Sequence, residues 1–182
     1  MKFTVVAAIA AFAASAAAAP EVATEKRWFG CLNQWQAETI VNKYISILEG
    51  SDYNGQSPNV TADQIIAEDY TEYSDSILSL EKAPLGDTPS ATSRQQWLSE
   101  VLAHPDINIQ TDDILISCNK IAWYWTFPNI SGGPYRVKGT NLLTINFQGQ
   151  VCQANIEFNS IAWGADDGQL YEWCSAPSNS SS

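Results

Sequence analysis

The run NKIAWYWTFPNISGGPYRVKGTNLLTINFQGQVCQANIEFNSIAW, from Asn119 to Trp163, decides the fold. It falls into three strand-like pieces, NKIAWYWTF, YRVKGTNLLTINF and VCQANIEFNSIAW, joined by the short connections NISGGP and QGQ. β-branched and aromatic residues that alternate with polar ones, broken by brief Gly-bearing turns, predict an antiparallel meander. The faces follow from the period of two. Asn141, Leu143, Ile145 and Phe147 share one face, and Cys152, Ala154, Ile156 and Phe158 share the apolar face of the next strand. Ile121, Trp123, Trp125 and Phe127 form the heaviest apolar row of the chain. One strand earlier the phase changes, with Ile107 and Ile109 odd but Ile114 and Ile116 even, which predicts a β-bulge near Thr111-Asp112-Asp113.

Outward from this sheet, toward the N-terminus, three segments read as helices. Asn33 followed by Gln36 resembles a capping box, after which Ala37, Ile40, Val41, Tyr44 and Leu48 keep helical spacing up to Gly50. Thr61-Ala62-Asp63-Gln64 opens a second, short helix through roughly Glu68. Ser93-Arg94-Gln95-Gln96 opens a third, with Trp97, Leu98, Val101 and Leu102 inward and His104-Pro105 as its stop. Tyr70 to Asp87 reads as part strand, part loop. Helices first and a curved sheet after make an α+β plan.

The N-terminus sets the compartment. Lys2, the apolar run Phe3 to Ala14 and the small residues Ala16-Ala17-Ala18 predict a signal peptide over residues 1–19, too short to stay in a bilayer as a span of about 20 residues. Lys26-Arg27 reads as a dibasic processing site that closes a pro-segment over 20–27, leaving one domain over 28–174 and a disordered Ser/Asn tail over 175–182. The formal charge of −11 becomes −12 after that removal, since nine bases lose three and twenty acids lose two. Such acidity argues against nucleic acid and against an anionic membrane surface as partner.

A secreted chain with four cysteines implies two disulfides. Three pairings of Cys31, Cys118, Cys152 and Cys174 are open, and we favour Cys31–Cys118 with Cys152–Cys174. Without a CxxC pair, and with His104 the only histidine, no metal site is expected. Sequons at Asn59, Asn129 and Asn179 predict N-glycosylation.

IAWYW, VKGTN and EFNSIAW, set behind helices in this order, resemble the secreted fungal branch of the NTF2-like (SnoaL-like) superfamily, from about Cys31 to Gly164. The resemblance implies an α+β cone in which three N-terminal helices pack on a curved antiparallel sheet, the sheet wrapping the first helix and leaving a pocket between sheet and helices, with a frequent habit of dimerising through the outer sheet face. It also implies either small-molecule binding or cofactor-free isomerase, dehydratase or cyclase chemistry on a pocket carboxylate. A third possibility is an extracellular interaction protein with a vestigial pocket.

Polar residues that interrupt inward faces are the candidates for such chemistry. Asn141 breaks an apolar face and reads as a hydrogen-bonding pocket group or as a structural amide tie. Asp75 shares strand parity with Tyr73 in YTEYSDSIL and would form an acid–base pair with it if both point inward; the plainer reading is a loop aspartate capping nearby amides. Glu157 lies on the opposite face from Ile156 and is set aside. Tyr44, Trp97, Trp123 and Trp125 read as the lining of an apolar cavity for a small apolar or aromatic ligand, or simply as core. No nucleotide motif, serine elbow or cofactor signature occurs, and no cofactor is expected.

Overall fold

A computed structural model describes residues 30–104 and 108–168. The expected signal peptide, the expected processing site at Lys26-Arg27, Pro105, Ile107, Cys174, Asn179 and the C-terminal tail lie outside the described residues.

Helix α1 (Gln34–Leu48) starts as its sequence demands. Asn33 Oδ1 accepts from Gln36 N and Gln36 Oε1 accepts from Asn33 N, both at 2.9 Å, which satisfies two backbone donors at the helix start. Ala37, Ile40, Val41, Tyr44 and Ile47 bury one face of it. Helix α2 (Pro58–Ile65) begins three residues before the expected Thr61 cap. Proline fits the first helical position, where no backbone N–H is required, so Pro58 sets the start and Thr61 falls inside the helix, fully buried. The chain then passes directly into strand β1 (Ile66–Tyr73).

Two short helices differ from the sequence reading. Helix α3 (Asp75–Leu80) follows β1 at once, capped by Ser74, whose side chain accepts from Ile77 N. Helix α5 (Ser160–Asp166), which the sequence did not predict, follows the last strand, because Asn159 accepts from Ala162 N and turns the chain into a helix. Helix α4 (Arg94–Ala103) is capped by Ser93 as expected, but of its apolar residues only Trp97 is fully buried.

Strands β2 (Gln110–Ser117), β3 (Lys120–Phe127), β4 (Val137–Ile145) and β5 (Val151–Phe158) form the predicted antiparallel run, and β1 joins it in the order β1-β5-β4-β3-β2. The sheet is mixed, not wholly antiparallel, because β1 lies parallel to β5. The register slips between Thr111 and Asp113, at the predicted bulge. Phe147 does not continue the inward row of β4. Asn146 Oδ1 accepts from Gln148 N and Gln150 N, and Gly149 takes a φ of 81°, so the chain turns after Ile145 and leaves Phe147 exposed.

The concave face of the sheet carries Ile121, Trp123, Trp125, Phe127, Leu143, Ala154 and Ile156 against α1 and α4. A disulfide joins Cys31 to Cys118 in the β2–β3 turn, beside a bond from Leu32 N to Cys118 O of 2.9 Å. It pins the start of α1 to the sheet. Cys152 is half-buried on β5, and its expected partner lies outside the described residues.

Candidate functional site

Between the sheet and the helices lies a cavity of about 1180 Å³. Its wall is a chain of rings in which each touches the next. Trp97 packs on Tyr44 with centroids 5.0 Å apart, Tyr44 meets Trp123 edge-on at 6.0 Å, and Trp123 meets Trp125 at 6.3 Å. Trp125 contacts Phe127 at 4.7 Å, and Phe158 contacts Trp163 at 4.9 Å. All seven rings line the cavity. The four aromatic residues singled out in the sequence therefore share one wall, as does Asn141.

Asn141 is held by its neighbour on β3. Trp125 Nε1 donates to Asn141 Oδ1 at 2.8 Å. Because an indole N–H can only donate, the amide oxygen must face Trp125 and the amide nitrogen must face away. Gly139, two residues earlier on β4, allows this arrangement. A Cβ there would overlap the six-membered ring of Trp125 and the Cβ of Phe158.

Asp75 and Tyr73 are placed elsewhere. Asp75 is exposed in the first turn of α3, its Oδ1 3.4 Å from Gly86 N, and Tyr73 pairs with Asn155 on the side of the sheet away from Ala154. The parity shared by Tyr73 and Asp75 has no meaning across Ser74, where strand becomes helix. Burial along β1 falls on Tyr70 and Glu72, the opposite phase. Glu157 is exposed and fastens α3, accepting from Asp75 N at 3.0 Å and from Ser76 Oγ at 2.6 Å.

The carboxylate in the cavity wall is Glu72, which the sequence reading passed over. It is 4% exposed. Tyr70 Oη donates to Glu72 Oε2 at 3.0 Å and Ser90 Oγ donates to Glu72 Oε1 at 3.1 Å. Tyr44 and Tyr70 hydroxyls lie 3.1 Å apart. Burial pushes the Glu72 carboxyl from 4.5 up to about 7, with Glu100 adding repulsion, while the Tyr70 and Ser90 donors and the Trp97 indole pull it down. Burial also raises the Tyr44 and Tyr70 phenols well above their ordinary value, so both stay neutral.

This chain of hydroxyls has a definite polarity. Each phenol carries one proton. With Glu72 ionised, Tyr70 gives its proton to the carboxylate and Tyr44 gives its own to Tyr70, so Tyr44 offers only lone pairs to the cavity. With Glu72 protonated the chain can reverse, which frees the Tyr44 O–H to donate. A carboxyl titrating near neutrality and relayed to a cavity wall can act as a general acid or base. Among the described residues, no cluster of three or more His, Cys, Asp or Glu side chains is placed to hold a metal ion.

The rim of the cavity holds Glu81, Glu100, His104, Asn129 and Asp167. The sequon residues Asn59 and Asn129 are both exposed.

The profile of the NTF2-like domain family matches residues 30–170. A search of curated proteins finds no match. Among solved structures, TsrD from Streptomyces laurentii is similar at 14% identity with a TM-score of 0.55, covering 76% of this chain and 99% of that one. A protein with a ketosteroid isomerase-like fold from Catenulispora acidiphila, solved in complex with trimethylamine, is similar at 15% identity and a TM-score of 0.54, covering 76% and 97%. A putative isomerase of the SnoaL-like family from Agrobacterium tumefaciens follows at 14% identity and a TM-score of 0.50, covering 69% and 98%.

Proposed function

The chain belongs to the NTF2-like domain family, and from that premise we propose that it binds a small molecule with an apolar, ring-bearing body in the cavity between sheet and helices. One observation carries this reading. Seven aromatic rings line a single cavity of about 1180 Å³, and of the buried polar side chains among the described residues only Glu72 and Asn141 line it. Apolar walls with a few convergent polar groups are what orient a bound ligand.

The test is a direct one. Val101 is a half-buried wall residue on α4, so Val101→Phe should fill space without removing a core contact. Ligands found by tryptophan fluorescence titration against a broad panel should bind Val101→Phe at least about tenfold more weakly, with far-UV circular dichroism unchanged. Binding that survives the filled cavity would place the site elsewhere, and a panel without hits would remove the reading.

A second reading is favoured by Glu72 alone: cofactor-independent acid–base chemistry of the isomerase, dehydratase or cyclase type, with Glu72 in the role the sequence reading gave to Asp75. Turnover of a bound ligand that disappears in Glu72→Gln, while binding persists, would support it; binding without turnover in the wild type would not.

The same proposal takes the protein as secreted, processed after Arg27 and glycosylated at Asn59 and Asn129. The Cys31–Cys118 disulfide and the exposure of both sequon asparagines support it. It also takes the outer sheet face as a homodimer contact, where Leu115, Tyr124 and Leu142 are 54%, 45% and 37% exposed.

A further inference from the structure

The charge around the cavity has one sign. Glu72 faces it from β1, Glu81 from the end of α3, Glu100 from α4 and Asp167 from the end of α5. His104 on the α4 cap is the one basic side chain among the described lining residues, and no Lys or Arg is among them. Arg94 pairs with Asp63 and Lys138 with Asp112, both away from the cavity. Carboxylates set around low-dielectric walls focus a negative potential into the cleft.

The walls are suited to the opposite charge. Tyr44 touches both Trp97 and Trp123, with Glu72 beside Tyr44 and Trp97, and aromatic faces attract an ammonium or quaternary nitrogen, most strongly where water is excluded.

Asn141 supplies an independent sign that the cavity is built for a ligand. Its side chain is 3% exposed, its oxygen is committed to Trp125, and nothing among the described hydrogen bonds accepts from its Nδ2. A buried donor is costly to leave unpaired. In the wall of a cavity, it calls for an acceptor oxygen on whatever enters. The sheet register fixes its relation to Glu72. Glu72 pairs with Ala154 on β5, whose partner on β4 is Leu143, two residues from Asn141. The two polar groups thus sit two strand spacings apart and two residues offset along the strands, or roughly 12 Å at the backbone, on one concave face.

On the reading that the cavity binds a small molecule, we infer that its ligand class is an organic cation: an amine or quaternary ammonium on a ring-bearing body that also carries an acceptor oxygen. The cationic end lies among Trp97, Tyr44 and Trp123 beside Glu72, and the oxygen accepts from Asn141 Nδ2. Anionic ligands are excluded by the same carboxylates. Since Glu72 must be ionised to pair with the cation, binding tightens as pH rises through about 7. Glu100, Glu81 and Asp167 add to the attraction from the rim of the cavity.

The test compares three probes by isothermal titration on the full mature protein: phenacyltrimethylammonium, its uncharged tert-butyl isostere, and the carboxylate analogue benzoylpropionate. The cation should bind at least about tenfold more tightly than the isostere, and benzoylpropionate should be weakest. Glu72→Gln should remove most of the cation's advantage and its pH dependence. Glu100→Gln, an exposed rim change that leaves the core untouched, should cost the cation a few-fold and the isostere nothing. If isostere and cation bind alike, the cation inference is overturned while the cavity reading stands. If none of the probes binds, both fall.

Discussion

Glu72 shows at the scale of one residue what burial does to a carboxyl. The folded chain holds its proton up to about pH 7, whereas an ordinary carboxyl loses it near 4.5. Between those values the native state binds the extra proton, so stability is full below about 4.5 and falls as pH rises through about 7. A shift of this size corresponds to about 3 kcal/mol. Urea unfolding of the wild type should therefore give a lower stability at about pH 8 than at about pH 5, and Glu72→Gln should flatten that difference. Parallel pH profiles for the two proteins would mean that Glu72 is not the group responsible. The sequence did contain a signal for Glu72, a Tyr-x-Glu step at Tyr70 and Glu72 with the spacing of one strand face. It was hidden by a register irregularity between Ile66 and Thr71, which erases the phase that would tell the inward set from the outward one.

At the scale of elements, the β3–β4 pair is what makes the aromatic wall. Trp125 and Gly139 are register partners, and the indole lies over the glycine because no Cβ stands there. That placement lets Trp125 Nε1 reach Asn141. Gly139→Ala should push the indole off the strand, at a cost of about 1–3 kcal/mol from overpacking, and should alter the near-UV circular dichroism of the tryptophans. An unchanged near-UV spectrum together with full stability would show that the indole has room to move. The legibility of elements followed their length. Helix α1 and the four C-terminal strands were readable because repeated faces and a complete capping box agree. Helices α3 and α5, at six and seven residues, are too short to show a period, and their starts rest on single side chains, Ser74 and Asn159.

At the scale of the whole molecule, the outer face of the sheet presents exposed apolar side chains, the surface proposed for the homodimer contact. Ala122 stands between Leu115 on β2 and Leu142 on β4 in one cross-strand row, with Tyr124 beside it. Native mass spectrometry of the protein secreted from a eukaryotic host should give a dimer whose subunit starts at Trp28 and carries glycan mass, and Leu142→Glu should give the monomer. A monomeric wild type rejects the dimer, and an unprocessed, unmodified subunit rejects the secretory reading.

The sequence by itself determined the α+β class, the antiparallel core of the sheet, the bulge on β2 and the family resemblance. These are consequences of local periodicity, capping and turn chemistry, which neighbouring residues in the chain carry. Tertiary structure alone decided that β1 lies parallel to β5, that Glu72 and not Asp75 faces the cavity, and that Trp125 fixes Asn141. Each of these depends on residues far apart in sequence meeting across the sheet, and no local pattern encodes which face a carboxyl meets once a strand slips or ends.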